Sequence, residues 1–260
     1  MKTNAGYSTA LDALGQCLAT AFSDNRALPD IVLTYQSNWK NENVNTLVAF
    51  AASFADECSE STDKLRIELL AACTRIDETS QGRFLSLRHV LEELLPVPRL
   101  RRKSAECMPA ASGVAERFIL FEAAPVDARK LREQLQLHVA NWRHKWCQAE
   151  QCLRQAVTSF KAEPVVCVNV VWQWHDSHLT TLDMLPGEFE VCEVVYKLCG
   201  VLVAVAADSG GECITGECYY PVCRHASGCW FVVNNKDNSQ SYVKPSKLAV
   251  QGVQALVYTL

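Results

Sequence analysis

The sequence predicts an α+β protein, with helices first and an antiparallel sheet afterwards. Three observations carry this. Up to about residue 95, apolar residues recur at helical spacing. Beyond Pro164 the apolar residues gather into short β-branched runs. Clusters such as Asp208-Ser209-Gly210-Gly211, Ala226-Ser227-Gly228 and Asn234-Asn235-Lys236-Asp237 separate those runs as turns.

The first helix is read from Ala10, Leu11, Leu14, Cys17, Leu18, Ala21 and Phe22, which form one apolar stripe. Thr9 followed by Asp12 gives a capping arrangement, so the helix is expected to start at Thr9, and Pro29 to end the segment. Further helices are expected over 43–55, 62–75 and 84–95. Pro96-Val97-Pro98 then stops the helical pattern. The basic run Arg99, Arg101, Arg102 and Lys103, with the small and polar residues after it, reads as a solvated loop over 96–115. Residues 116–122 read as a short buried strand and 127–160 as helix-prone, with Leu131, Leu135, Val139, Trp142 and Trp146 on one stripe. Strands follow at 165–171, 196–205, 230–233 and 255–258.

Composition narrows the classes. The chain has 260 residues, 49% hydrophobic and 21% charged, with a formal net charge of -4. These values exclude a disordered tail, a collagen and a coiled-coil rod. The mild acidity argues against nucleic acid as a partner, and no apolar run reaches the ~18 residues of a membrane span. Met1 to Gly6 is polar, without the apolar stretch of a secretory signal, so an intracellular protein with reduced thiols is expected.

The 13 cysteines raise metal and thiol chemistry. A structural zinc site needs two close ligand pairs. Here no CxxC occurs, Cys147 and Cys152 lack a second pair, and Cys213, Cys218 and Cys223 recur at a spacing that flips faces in a strand. No metal and no cofactor are therefore expected, and most cysteines read as small core residues. Cys17 lies roughly 12 Å down its helix, on the apolar stripe, so it is expected to be buried rather than nucleophilic.

The order of segments resembles that of the ubiquitin-specific proteases, papain-like cysteine peptidases. Glu163 to Trp172 is similar to that family's Pro-led apolar strand, and Tyr196 to Ala204 to its YxLxGVxxH strand. Glu217 to Arg224 is similar to GHYxAYxR, Gly228 to Asn235 to GxWYxFDD, and Ala255 to Tyr258 to the closing strand. Tyr7 to Leu18 resembles the cysteine box, and Ser80 to Leu95 is a weak echo of the QxDAxEFLxxLL helix.

The resemblance implies one domain over 1–260: a helical thumb (1–95), a loop (96–115) and an antiparallel palm (116–260) with a shortened fingers region. It also implies that the chemistry is gone. The nucleophile position falls on Thr9, or on Gly6 in a second alignment; the general-base position falls on Cys218; and the orienting position falls on Asn235. A hydroxyl without a base is not a nucleophile, and a thiol does not replace imidazole. The expected function is a catalytically inactive, protein-binding or scaffolding module. Its partner would be ubiquitin, a ubiquitin-like protein or the subunits of a larger complex, with Tyr219, Trp230 and Asn234 as binding-cleft candidates. The alternatives are a purely structural subunit, or an active thiol isopeptidase using Cys218 or Cys17 with His89 or His175.

Overall fold

The computed structural model describes residues 10–36, 42–54, 59–74, 99–103, 116–117, 121–123, 157–161, 163–170, 181–191, 193–205, 218–233, 239–247 and 253–260, with isolated positions at 90–94 and 131–136. Four helices come first: α1 (Ala10–Asp24), α2 (Leu28–Gln36), α3 (Glu42–Ser53) and α4 (Ser59–Thr74). Eleven strands follow among the described residues: β1 (Arg99–Lys103), β2 (Glu116–Arg117), β3 (Phe121–Ala123), β4 (Val157–Lys161), β5 (Val165–Val170), β6 (Glu188–Val191), β7 (Val194–Val205), β8 (Cys218–Arg224), β9 (Trp230–Val233), β10 (Gln240–Val243) and β11 (Val253–Thr259). The chain is α+β, as its sequence predicts.

α1 is the central helix. The sequence suggests one apolar stripe, but Ala13, Gly15 and Gln16 are buried along with Leu11, Leu14, Cys17 and Leu18. A helix covered on nearly all sides lies inside a core rather than on it. One side packs on β7 and β8, and another meets α3. Gly15 permits the second approach, because a Cβ there would fall 2.7 Å from the rings of Phe50 and Phe54. Arg66 of α4 pins the outer helices to α1: its Nε donates to Asp12 Oδ1 at 2.6 Å, and its guanidinium lies 5.9 Å from the Phe50 ring centroid.

Pro29 does not end the first helical segment. α1 stops at Asp24, Asn25 accepts from the Ala27 N–H through Oδ1 at 3.2 Å, and Pro29 lies in the first turn of α2. A proline costs no intrahelical bond in the first turn, and its fixed φ suits helix entry. The basic run at Arg99–Lys103 is likewise not a loop. It is strand β1, paired antiparallel with β4 over five residues and with β2 over two. Backbone pairing on both sides outweighs the weak strand preference of lysine and arginine. The same pairing makes 157–161 a strand, where the sequence suggests helix. The single strand expected over 116–122 is two strands in different sheets.

The main sheet runs β10-β9-β8-β7-β11-β5-β3, with β6 pairing β7. It is antiparallel except for the parallel β3–β5 pair. Side chains alternate between its faces. Val165 and Cys167 of β5 and Ala255 and Val257 of β11 join the core around α1. Val166, Val168, Leu256 and Tyr258 join the core on the opposite face, with Leu182, Leu185 and Phe189. The register between β7 and β11 shifts where Val257 pairs Gly200 and Tyr258 pairs Leu198. This bulge reverses the alternation, so Cys199 and Leu202 both belong to the α1 core. Among the described residues, no helix is long and apolar enough to cross a membrane.

Candidate functional site

α1 and β8 form the seam where the helical layer meets the sheet. Cys17 Sγ lies 4.0 Å from Cys223 Sγ. Seven residues further along α1, Asp24 Oδ1 lies 3.0 Å from His225 Nδ1, and Asp24 Oδ2 accepts the Ala226 N–H at 2.7 Å. Seven helical residues rise about 10 Å, which matches two to three strand residues. The two elements therefore run in the same direction. Ala10 and the start of β8 lie at one end of the seam, and Asp24 and the β8–β9 turn at the other. β9 runs back antiparallel to β8, with Val232 opposite Val222, so it ends at Val233 on the Ala10 side.

Of the triad positions expected from the sequence, Thr9, Gly6 and Asn235 lie outside the described residues, as does the cleft candidate Asn234. Cys218 is described in its backbone as the first residue of β8, paired with Val205. The two remaining cleft candidates are core residues. Tyr219 is fully buried, and its hydroxyl donates to Gln254 Oε1 at 2.8 Å. Trp230 is buried in the core on the other face of the sheet, beneath the Arg224 guanidinium at 5.8 Å. The alternation along β9 decides this, because Phe231 and not Trp230 faces α1.

Cys17 is fully buried, as its place on the stripe predicts. Its hydrogen bond with Cys223 and its burial push its thiol well above the ordinary range, and the neighbouring Cys199 and Cys167 add to this. Burial raises Cys167 and Cys199 too. Desolvation disfavours a thiolate, so these are packing thiols rather than nucleophiles. Among the described residues, no group of three or more His, Cys, Asp or Glu side chains could hold a metal ion. The other isopeptidase candidates, His89 and His175, lie outside the described residues.

The far end of the seam joins two residues that belong to none of the sequence motifs, Asp24 and His225. His225 stacks on Phe231 with centroids 4.6 Å apart while Asp24 holds its Nδ1. From His225 a pocket of about 240 Å³ extends along α1 towards the end of β9, walled by Phe54 and Val233 and edged by Gln16, Thr20 and Gln240. The Ala226-Ser227-Gly228 turn was a usable signal, since it makes His225 and Cys229 the flanking pair of a hairpin. The end of α1 at Asp24 had no comparable signal.

No family model and no curated protein matches the chain. Solved structures do resemble it. A chain of a SAGA Ubp8/Sgf11/Sus1/Sgf73 DUB module aligns over 100% of this chain and 68% of its own, at 14% identity and a TM-score of 0.47. A chain of the same module bound to monoubiquitin aligns over 100% and 67%, also at 14% identity and 0.47. An essential yeast splicing factor aligns over 87% and 52%, at 10% identity and 0.36.

Proposed function

We propose that this chain is a protein-recognition module built on a ubiquitin-specific-protease-like fold, from which the cleavage chemistry has been lost. One observation carries the reading: α1 and β8 run side by side in the same direction, so the start of α1, the start of β8 and the end of β9 share one end of the seam. The sequence resemblance puts the nucleophile, base and orienter of a papain-like peptidase next to those three points. The residues there in sequence are Thr9 (or Gly6), Cys218 and Asn235. Neither a cysteine nucleophile nor an imidazole is among them. Removing members of such a unit costs several orders of magnitude in rate. Recognition is the function left to the surface, with ubiquitin or a ubiquitin-like protein as its ligand.

Two measurements test this. Isotope-labelled ubiquitin titrated with the chain is expected to show localised chemical-shift changes; their absence at millimolar concentration sinks ubiquitin recognition and leaves the structural-subunit reading. A ubiquitin probe with an electrophilic C-terminus is expected not to label the chain. Labelling at a cysteine that disappears on Cys→Ala overturns the loss of chemistry.

A further inference from the structure

We propose that the outer edge of β10 and the pocket beside it form one docking groove for an extended, acidic segment of a partner protein, which adds to the main sheet as a further strand. The inference rests on the recognition reading above and gives the partner its form. Among the described residues β10 ends the sheet. Which of its backbone groups face outward follows from the β8–β9 turn. The His225 N–H donates to Cys229 O at 2.9 Å, the Gly228 N–H donates to His225 O at 2.8 Å, and Gly228 has a φ of 86°. This is a three-residue hairpin loop with a bulge at glycine, which makes His225 and Cys229 a hydrogen-bonded pair. Bonded and non-bonded pairs alternate from there. Phe231 therefore bonds Cys223, while Trp230 and Val232 turn their N–H and C=O groups towards Val243 and Ser241 of β10. Gln240 and Tyr242 are left with one donor and one acceptor each directed outward, on a strand whose residues are mostly exposed.

The side chains of the same two residues point to the face that meets α1. Tyr242 pairs Phe231, which packs in the α1 core, and the two rings lie 6.2 Å apart. Tyr242 is 70% exposed, so most of its ring is open to a neighbour. Gln240 pairs Val233, and both line the pocket with Ala19, Thr20 and Phe54. A residue added opposite Gln240 aims its side chain over the pocket, and one opposite Tyr242 aims its side chain at the ring. Strand addition of this kind draws affinity from the main chain and selectivity from alternate side chains. No carboxylate, ammonium or guanidinium lines the pocket, and Phe54 and Val233 make its wall apolar, so the side chain it takes is apolar. Charge enters at the other end of the strand. β10 leads into a turn in which the Lys247 N–H donates to Lys244 O at 2.9 Å, and both lysines are exposed. No Asp or Glu occurs between Ser239 and Lys247. In an antiparallel addition the partner's acidic residues therefore precede its apolar anchor.

The probe is the peptide Glu-Glu-Thr-Val-Thr-Leu-Ser, labelled with fluorescein at its C-terminus and titrated with the whole chain while anisotropy is read. Its Leu is designed to lie opposite Gln240, its Val opposite Tyr242 and its second Glu opposite Lys244. Saturable binding is expected. N-methylation of the Val amide, which faces β10, should weaken binding at least about tenfold, whereas N-methylation of the Thr between Val and Leu, which faces solvent, should change it less than about twofold. Leu→Ala in the peptide should cost about tenfold, and Phe54→Ala in the chain should erase the difference between those two peptides. Lys244→Glu combined with Lys247→Glu should turn the preference from Glu-Glu to a Lys-Lys version of the probe. No saturation at millimolar peptide, or equal weakening by the two N-methyl groups, overturns the proposal without any variant of the chain. Tyr242→Pro removes an outward N–H and none that β9 uses. If it converts a sedimenting dimer into a monomer, the edge belongs to a second copy and the proposal falls. Ubiquitin shifts alongside a silent peptide sink the β10 groove and leave the recognition reading standing; a bound peptide with unshifted ubiquitin supports the groove and removes ubiquitin as the ligand.

Discussion

The two faces of the main sheet are built from different materials. The face under α1 carries Cys167, Cys199, Cys223 and Ala255, with Gly200 among them. The opposite face carries Phe189, Tyr196, Tyr258 and Trp230. On that side Phe189 stacks on Tyr196 at 5.3 Å and meets Tyr258 edge-on at 4.5 Å. Where α1 comes closest, with Cys17 against Gly200 and Cys223, only small side chains fit beneath it, and the larger Tyr219 and Phe231 share the same face. The other face has short segments above it and fills its volume with rings. Much of the cysteine content of the described residues is therefore a packing solution to one close helix–sheet contact.

Gly200 is where this difference is sharpest. A Cβ on it would stand 2.5 Å from Cys17 Sγ and 3.2 Å from Val222 O, distances at which atoms must move. The backbone oxygen is part of the sheet and cannot yield easily, so the clash falls on α1. Gly200→Ala is expected to cost about 2–3 kcal/mol by overpacking. Pairing it with Cys17→Ala removes the nearest obstacle, and the double variant should be more stable than the two single losses predict, by about 1–2 kcal/mol. Urea unfolding of the four proteins closes the cycle. Strict additivity would mean that the sulfur and the glycine do not meet.

The buried thiols give the α1 face a pH dependence that begins in the thiol range. Cys17, Cys167 and Cys199 have folded-state values raised above the unfolded value of about 8.5. The fold therefore holds protons that the unfolded chain releases. The stability these thiols contribute is complete below about pH 8.5 and drains as the pH rises towards their folded values, by about 1.4 kcal/mol per pH unit for each. Unfolding free energies measured between pH 8 and 10 should fall steeply, and Cys167→Ala should lower the slope by one such step. A curve that is flat to pH 10 would show these thiols to be accessible to water.

What the sequence made legible follows the same division. Strands β5, β7, β9 and β11 were readable because each is a β-branched or aromatic run closed by turn residues, and β9 was found at Trp230–Val233 without error. Cys17 was readable as a core thiol from its place on a helical stripe. Strand β1 was not, because nothing local in Arg-Leu-Arg-Arg-Lys reveals that β4 pairs with it from more than fifty residues away. Tyr219 and Trp230 were misread as cleft residues because a motif match supplies an order of residues but not the face each one takes. Phase along β8 and β9 fixes that, and it is set by the contact with α1. The Asp24–His225 contact joins residues 201 apart and has no local signature.

The smallest expected effect probes the aromatic face alone. The Tyr258 hydroxyl donates to Pro186 O at 2.7 Å, and the Tyr196 hydroxyl donates to Glu163 O at 2.9 Å, both in buried surroundings. Tyr258→Phe keeps the ring and its edge-on contact with Phe189 but removes the donor. It should cost about 1–1.5 kcal/mol, the net worth of one hydrogen bond, rising if the carbonyl stays dry. Because no thiol is touched, the slope of stability against pH between about 8 and 9, below the phenol range, should match that of the wild type. If the two faces are as separate as their materials suggest, Tyr258→Phe and Gly200→Ala should add within about 0.5 kcal/mol. A larger coupling would mean that strain at the glycine bulge is carried through β7 and β11 to the opposite core, since Tyr258 pairs Leu198 at the same register shift.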